Sequence, residues 1–319
     1  MSRRSLSMFR LARSSFMAVS FVLTAGCDST PASSGPVDGA MSDALSAADS
    51  TPPGGDAAST SPSPYPLWFL SGPGNEAEAM ATDSNGIAFF SQAGLRTFYP
   101  IDHNVAPPST WSVIYFKKYA SYASFQSDVN TPGKIQKEAK VVVYDNESWS
   151  FTPAAEQADP VGYAKRFADL AHANGFQFVN TPAEDLMQQF FPGKNKYLAF
   201  VSYGYATQVA PSCDYYQIQG QQIENDTTGD STNPSFDWFT KQVTGQALAA
   251  NPKVVVLGGV VAKSGYTSTD IVHAVDSTIG AVSGHWLNIL CNLDCANGVG
   301  LTNTQMASSA LARLMAEHH

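Results

Sequence analysis

The run Val141-Val-Val-Tyr-Asp145-Asn-Glu147-Ser-Trp149 holds the best-placed chemistry in the chain. Its apolar start reads as a strand, and strand side chains alternate between faces. Val141, Val143, Asp145 and Glu147 therefore share one face, with both carboxyl groups at its C-terminal end. Two close carboxylates repel, which raises one pKa and keeps one acid protonated near neutral pH. Such a group can protonate a leaving oxygen. The alternative is an Asp and a Glu that simply accept hydrogen bonds from loop backbone.

Later strand-like runs carry further polar groups. In Tyr215-Tyr-Gln-Ile-Gln219, Gln217 and Gln219 share a face, while Tyr216 and Ile218 point the other way. Two inward amides need partners, either ligand hydroxyls or neighbouring side chains. In His285-Trp-Leu-Asn288, Trp286 and Asn288 share a face, and the indole is either a platform for a sugar ring or core. Trp149 is a second platform candidate or a loop anchor. His172 precedes Gly175 at a helix end and is expected at the surface or complementing the helix dipole. No Gly-x-Ser-x-Gly, His-Glu-x-x-His or P-loop motif occurs, and no Gly-rich phosphate turn follows a strand, so no cofactor is expected.

These residues need a scaffold that gathers strand ends. From Lys140 onward strands and helices alternate, with strands near 141, 176, 214, 254 and 284. Asp159-Pro160 opens one helix, a cap followed by proline at the first position. Leu67–Leu70, a strand within Ile87–Tyr99 and Ser112–Phe116 bring the total to eight. That count predicts a single-domain (βα)8 barrel of the TIM type over residues 65–319, with function at the C-terminal ends of its strands. A doubly wound open sheet is the rival, but the phosphate turn that usually accompanies it is missing.

What precedes the barrel is different in kind. Residues 1–26 carry Arg3, Arg4, Arg10 and Arg13 with no acid, then the short apolar run Phe16–Leu23. This reads as a signal peptide. Leu23-Thr-Ala-Gly-Cys27 resembles the bacterial lipobox, which implies cleavage after Gly26 and a lipid on Cys27. Two or three acyl chains, at about 0.8 kcal/mol per buried methylene, make a stable membrane anchor. Asp28 resembles an inner-membrane retention signal of enteric bacteria, and the choice of membrane stays open. Residues 28–64 are almost wholly Ser, Ala, Pro, Gly, Thr and Asp without one aromatic residue, a composition that cannot offset its ordering entropy and serves as a tether. The expected setting is the periplasm or the cell surface. A net charge of -9 without a basic patch argues against a nucleic-acid partner.

Three cysteines lie beyond Cys27. Cys291 and Cys295 could close a small disulfide loop, leaving Cys213 unpaired and buried, or Cys213 could bridge to either. No histidine stands at zinc-ligand spacing around them, so no metal is expected.

Two resemblances follow. Tyr144–Pro153, Glu156-Gln157-x-Asp159-Pro160 and Trp286-Leu-Asn288 resemble a group of uncharacterised secreted bacterial barrel proteins, a likeness spanning most of residues 140–290. Asp145-x-Glu147 on the fourth strand with Trp286 on the eighth is similar to the chitinase-like glycoside hydrolase family 18. That likeness implies Glu147 as the acid, Asp145 as the group positioning the substrate's acetamido substituent, and Trp286 as the subsite floor. The family's strand has further aspartates four and seven residues before the glutamate, where this chain has Val143 and Lys140. Its sixth strand usually offers a Tyr-Asp or Tyr-Asn pair, where Gln217 and Gln219 stand here. The expected functions are a polysaccharide hydrolase, a carbohydrate- or envelope-binding protein without turnover, or a surface protein without a ligand.

Overall fold

The computed structural model describes residues 66–72, 76–290 and 300–318. The leader, Cys27, the tether and the Cys291–Cys295 pair lie outside the described residues. Eight parallel strands close into one barrel: β1 (Leu67–Ser71), β2 (Arg96–Pro100), β3 (Val113–Tyr119), β4 (Ala139–Tyr144), β5 (Gln177–Asn180), β6 (Tyr215–Ile218), β7 (Val255–Ala262) and β8 (Gly284–Ile289). Each strand pairs with its sequence neighbour, and β8 returns to β1 in the register Trp68↔His285 to Ser71↔Asn288. The predicted barrel is thus the observed one.

Alternation within the strands divides the apolar residues into three bodies. Inward residues Phe69, Phe98, Phe116, Val141, Val143, Val179, Leu257 and Trp286 pack together inside the barrel. Phe69 is stacked between Phe98, at 3.9 Å and 8°, and Trp286, at 4.7 Å and 12°. The interior is thus filled by a largely aromatic plug rather than open as a channel. Outward residues such as Val142, Tyr144, Phe178, Tyr216 and Ile218 meet helices on one flank. Trp68, Leu70, Val260, Leu287 and Ile289 meet them on the other. Burying a large side chain of this kind contributes roughly 1.5–3 kcal/mol, so the alternation also locks strand register.

The helices begin where capping side chains permit. Asp159 accepts from Gly162 N at 3.0 Å and caps Pro160–Ala173, as its Asp-Pro pair predicts. Thr267 and Asp270 form a reciprocal capping box on Ser268–Thr278. The stretch Lys196–Val209 holds two helices, divided at Gly204, whose φ of 67° ends the first. The segment after β5 is a 3-10 helix, Glu184–Gln189.

The barrel departs from regular alternation between β2 and β3, where residues 101–112 carry no helix. Buried Glu78 holds that loop, accepting from Asn104 N at 2.8 Å and Val105 N at 2.7 Å. Tyr99 donates to Val105 O at 3.0 Å, and Trp111 packs on Phe90 at 4.9 Å between ring centroids. Among the described residues no helix is long and apolar enough to cross a membrane.

Candidate functional site at the barrel mouth

Above the aromatic plug, the next inward position on several strands is polar. Ser71, Lys118, Asp145, Thr181, Gln219 and Asn288 ring the C-terminal end of the barrel. Over them opens a pocket of about 350 Å³ that reaches Glu147 and Trp149 on the β4 loop and Lys263 after β7.

The β4 loop continues the strand alternation. Asp145 N donates to Tyr119 O at 2.9 Å, and Asn146, fully buried, turns outward. Asp145 and Glu147 therefore both face the mouth. Asp145 is 6% exposed, and both its oxygens are engaged. Lys118 donates to Oδ2 at 3.0 Å, and Gln219 Nε2 donates to Oδ1 at 3.1 Å. The charge of Asp145 in turn raises the Lys118 pKa.

Glu147 is half-buried and titrates differently. Its pKa is pushed from 4.5 up to about 8, chiefly by burial, then by the charge of Asp145 and a hydrogen bond to it, and by Asp185, against a smaller opposing effect of Lys118. Repulsion between the paired carboxylates is thus real, but desolvation is the larger cause. At pH 7 Glu147 carries a proton beside an Asp145 already paired with an ammonium.

Thr152 fixes the loop that presents this acid. Its Oγ1 accepts from Glu147 N at 3.2 Å and from Trp149 Nε1 at 2.8 Å, and donates to Ala120 O at 2.9 Å. Gln157 Nε2 donates to Trp149 O at 2.8 Å and Thr152 O at 2.7 Å. Buried Glu156 accepts from Tyr144 OH at 2.8 Å and from Tyr122 N at 2.7 Å, tying β4 to the start of helix Tyr122–Val129. The Glu156-Gln157 pair singled out in the sequence is therefore the brace of the loop.

The other expected site residues occupy distinct depths. Trp149 lines the open pocket, its ring edge-on to exposed Phe151 at 5.2 Å. Asn288 also lines it and accepts from Ser71 Oγ at 3.1 Å. Gln219 is half-buried and reaches Thr181 O at 2.8 Å as well as Asp145. Gln217 lies deeper, 1% exposed, taking the Thr181 hydroxyl and donating to Ile218 O at 2.9 Å. Trp286 is 4% exposed, belongs to the aromatic plug, and donates to Ser71 Oγ at the narrow base of the mouth. Both amides thus find protein partners.

Outside the mouth, Cys213 is a free, buried thiol whose pKa burial raises. His172 is half-exposed and pairs with Asp214 at 2.9 Å. Lys118, Gln221, Gln222, Val261, Lys263 and Leu290 line the pocket without having been anticipated. For Lys118 and Lys263 a signal existed: strand alternation continued past Phe116 and Gly259 places both inward.

No protein-family profile matches the chain, and no curated protein sequence does. Solved structures match it only at low similarity. A Schiff base-forming fructose-1,6-bisphosphate aldolase is 13% identical, covering 79% of this chain and 94% of that one, with a TM-score of 0.43. A chitinase from Chromobacterium violaceum is 13% identical over 69% of this chain and 92% of that one, with a TM-score of 0.41. A spore cortex-lytic enzyme from Bacillus megaterium is 10% identical over 69% of each chain, with a TM-score of 0.41. By its own strand order the molecule is a (βα)8 barrel, and its mouth holds Glu147 beside an aspartate–lysine pair.

Proposed function

We infer that the barrel mouth is a glycan site and that its chemistry is glycoside hydrolysis, with Glu147 as general acid. One observation carries this: Glu147 is held protonated to about pH 8 at the wall of an open pocket lined by amides and an indole. A neutral carboxyl there can donate its proton to the oxygen of a departing sugar as the glycosidic bond breaks, with water adding to the anomeric carbon and its released proton restoring the acid. Asp145, paired with Lys118, accepts a hydrogen bond from Glu147 or from the substrate side. Trp149 offers an apolar face to a sugar ring. The leader and lipobox support a lipid tether on Cys27 that places this site at a bacterial envelope.

A second reading, binding without turnover, is favoured by a separate observation. Both Asp145 oxygens are already satisfied by Lys118 and Gln219, so the second carboxyl is not free to activate water. One experiment decides between them: glycan release by the full-length chain on chitin oligomers, peptidoglycan and other polysaccharides, beside Glu147→Gln. Turnover that vanishes in the variant supports hydrolysis. Binding by both proteins with no release from any substrate supports the second reading, and neither binding nor release sinks both.

A further inference from the structure

Among the described residues, the charged groups around the pocket are not all paired. Lys118 is matched by Asp145 at 3.0 Å. Glu147 is protonated at neutral pH. Lys263, on the β7 side, has no ion-pair partner among the described residues; its Nζ lies 4.4 Å from the centroid of the Tyr266 ring. The nearby carboxyl of Glu224 is fully buried and accepts from Val261 N at 2.6 Å, and burial raises its pKa well above the ordinary carboxylate value. Burial also lowers the Lys263 pKa, so this ammonium lacks part of its water, and no carboxylate among the described residues is in ion-pair contact with it. Gln221, lining the same pocket, offers an amide with no hydrogen-bond partner among the described residues.

One ammonium without an ion-pair partner among the described residues, in the same pocket as an unpartnered amide, fits a singly charged planar anion on an otherwise neutral, hydroxyl-rich ligand. A phosphate brings up to two charges and three strong acceptor oxygens, and draws on several donors. We propose that the pocket selects a sugar bearing a carboxylate, with Lys263 Nζ as the counterion of that carboxylate and the Gln221 amide as its second donor. This deepens, and rests on, the reading of the mouth as a glycan site. The carboxylate sits on the β7 side while the scissile bond faces Glu147 on the β4 side, so recognition and chemistry occupy opposite walls.

The test measures binding to the full-length Glu147→Gln protein, which keeps the ligand intact. Matched probes are N-acetylmuramic acid against N-acetylglucosamine and glucuronic acid against glucose, with glucose 6-phosphate as the rival anion. A charge-assisted hydrogen bond predicts an acid preference of about 10- to 100-fold. The preference should collapse in Lys263→Gln and persist in Lys263→Arg, which retains the charge. Equal binding of acidic and neutral partners overturns this inference alone and leaves the glycan site standing. A preference that survives in Lys263→Gln, or tighter binding of the phosphate, also overturns it. Failure of every sugar to bind overturns both readings.

Discussion

At the scale of single residues, Glu147 makes the sharpest statements. The free side chain titrates near 4.5, and the folded one near 8. Between those values the native state holds a proton that the unfolded chain releases. Stability contributed by this group is therefore full below about 4.5 and is lost as the pH rises through 8. Glu147→Gln has no proton to lose, so its melting temperature should exceed that of the wild type at pH 9 and converge with it at pH 4, by calorimetry. Activity should fall as the pH rises through about 8, because the acid form is then depleted. Lys118 opposes the upward shift, so Lys118→Met should move that limb to higher pH while lowering turnover. A limb that stays in place would separate Lys118 from the acid.

At the scale of elements, the loop after β4 is held through one hydroxyl. Thr152→Val should leave Glu147 N and Trp149 Nε1 without their acceptor, costing about 1–3 kcal/mol in urea unfolding. Turnover should fall further than stability, since the loop aims the acid. Element boundaries also explain what the sequence disclosed. From β4 onward, apolar strands alternate with capped helices, and every element there stands out. β2 is obscure because Arg96-Thr-Phe-Tyr-Pro100 opens on a charge and closes on a proline. β3 continues through Lys117 and Lys118, which read as the end of a strand because they are charged. β7 runs through Gly258-Gly259 to Ala262, although paired glycines read as a turn. Gly259 is there because a Cβ would stand 2.6 Å from Ile218 O, where β6 and β7 press together. The two inward lysines of the mouth were hidden by these misread ends, whereas Asp145 and Glu147 followed a plain valine run.

At the scale of the whole molecule, the aromatic plug carries the mouth. Phe69 touches rings on both sides, and Phe69→Ala should cost about 3–5 kcal/mol, read by chemical denaturation. Because Trp286 rests on that ring, the variant should also weaken ligand binding at temperatures where it remains folded. The proposed anchor belongs to this scale too. Palmitate fed to producing cells should label the protein, and Cys27→Ser should abolish the label.

The seam between β1 and β8 has a temporal meaning. Ser71 and Asn288 are 217 positions apart, yet their hydrogen bond and that of Trp286 to Ser71 form the base of the mouth. Such distant partners meet late, because long-range closure is entropically costly. A chain still emerging from the ribosome already contains Asp145 and Glu147 but lacks the wall they face. The pocket begins to exist only when the eighth strand docks, so the site is silent while the chain is being made and is completed by its last strand.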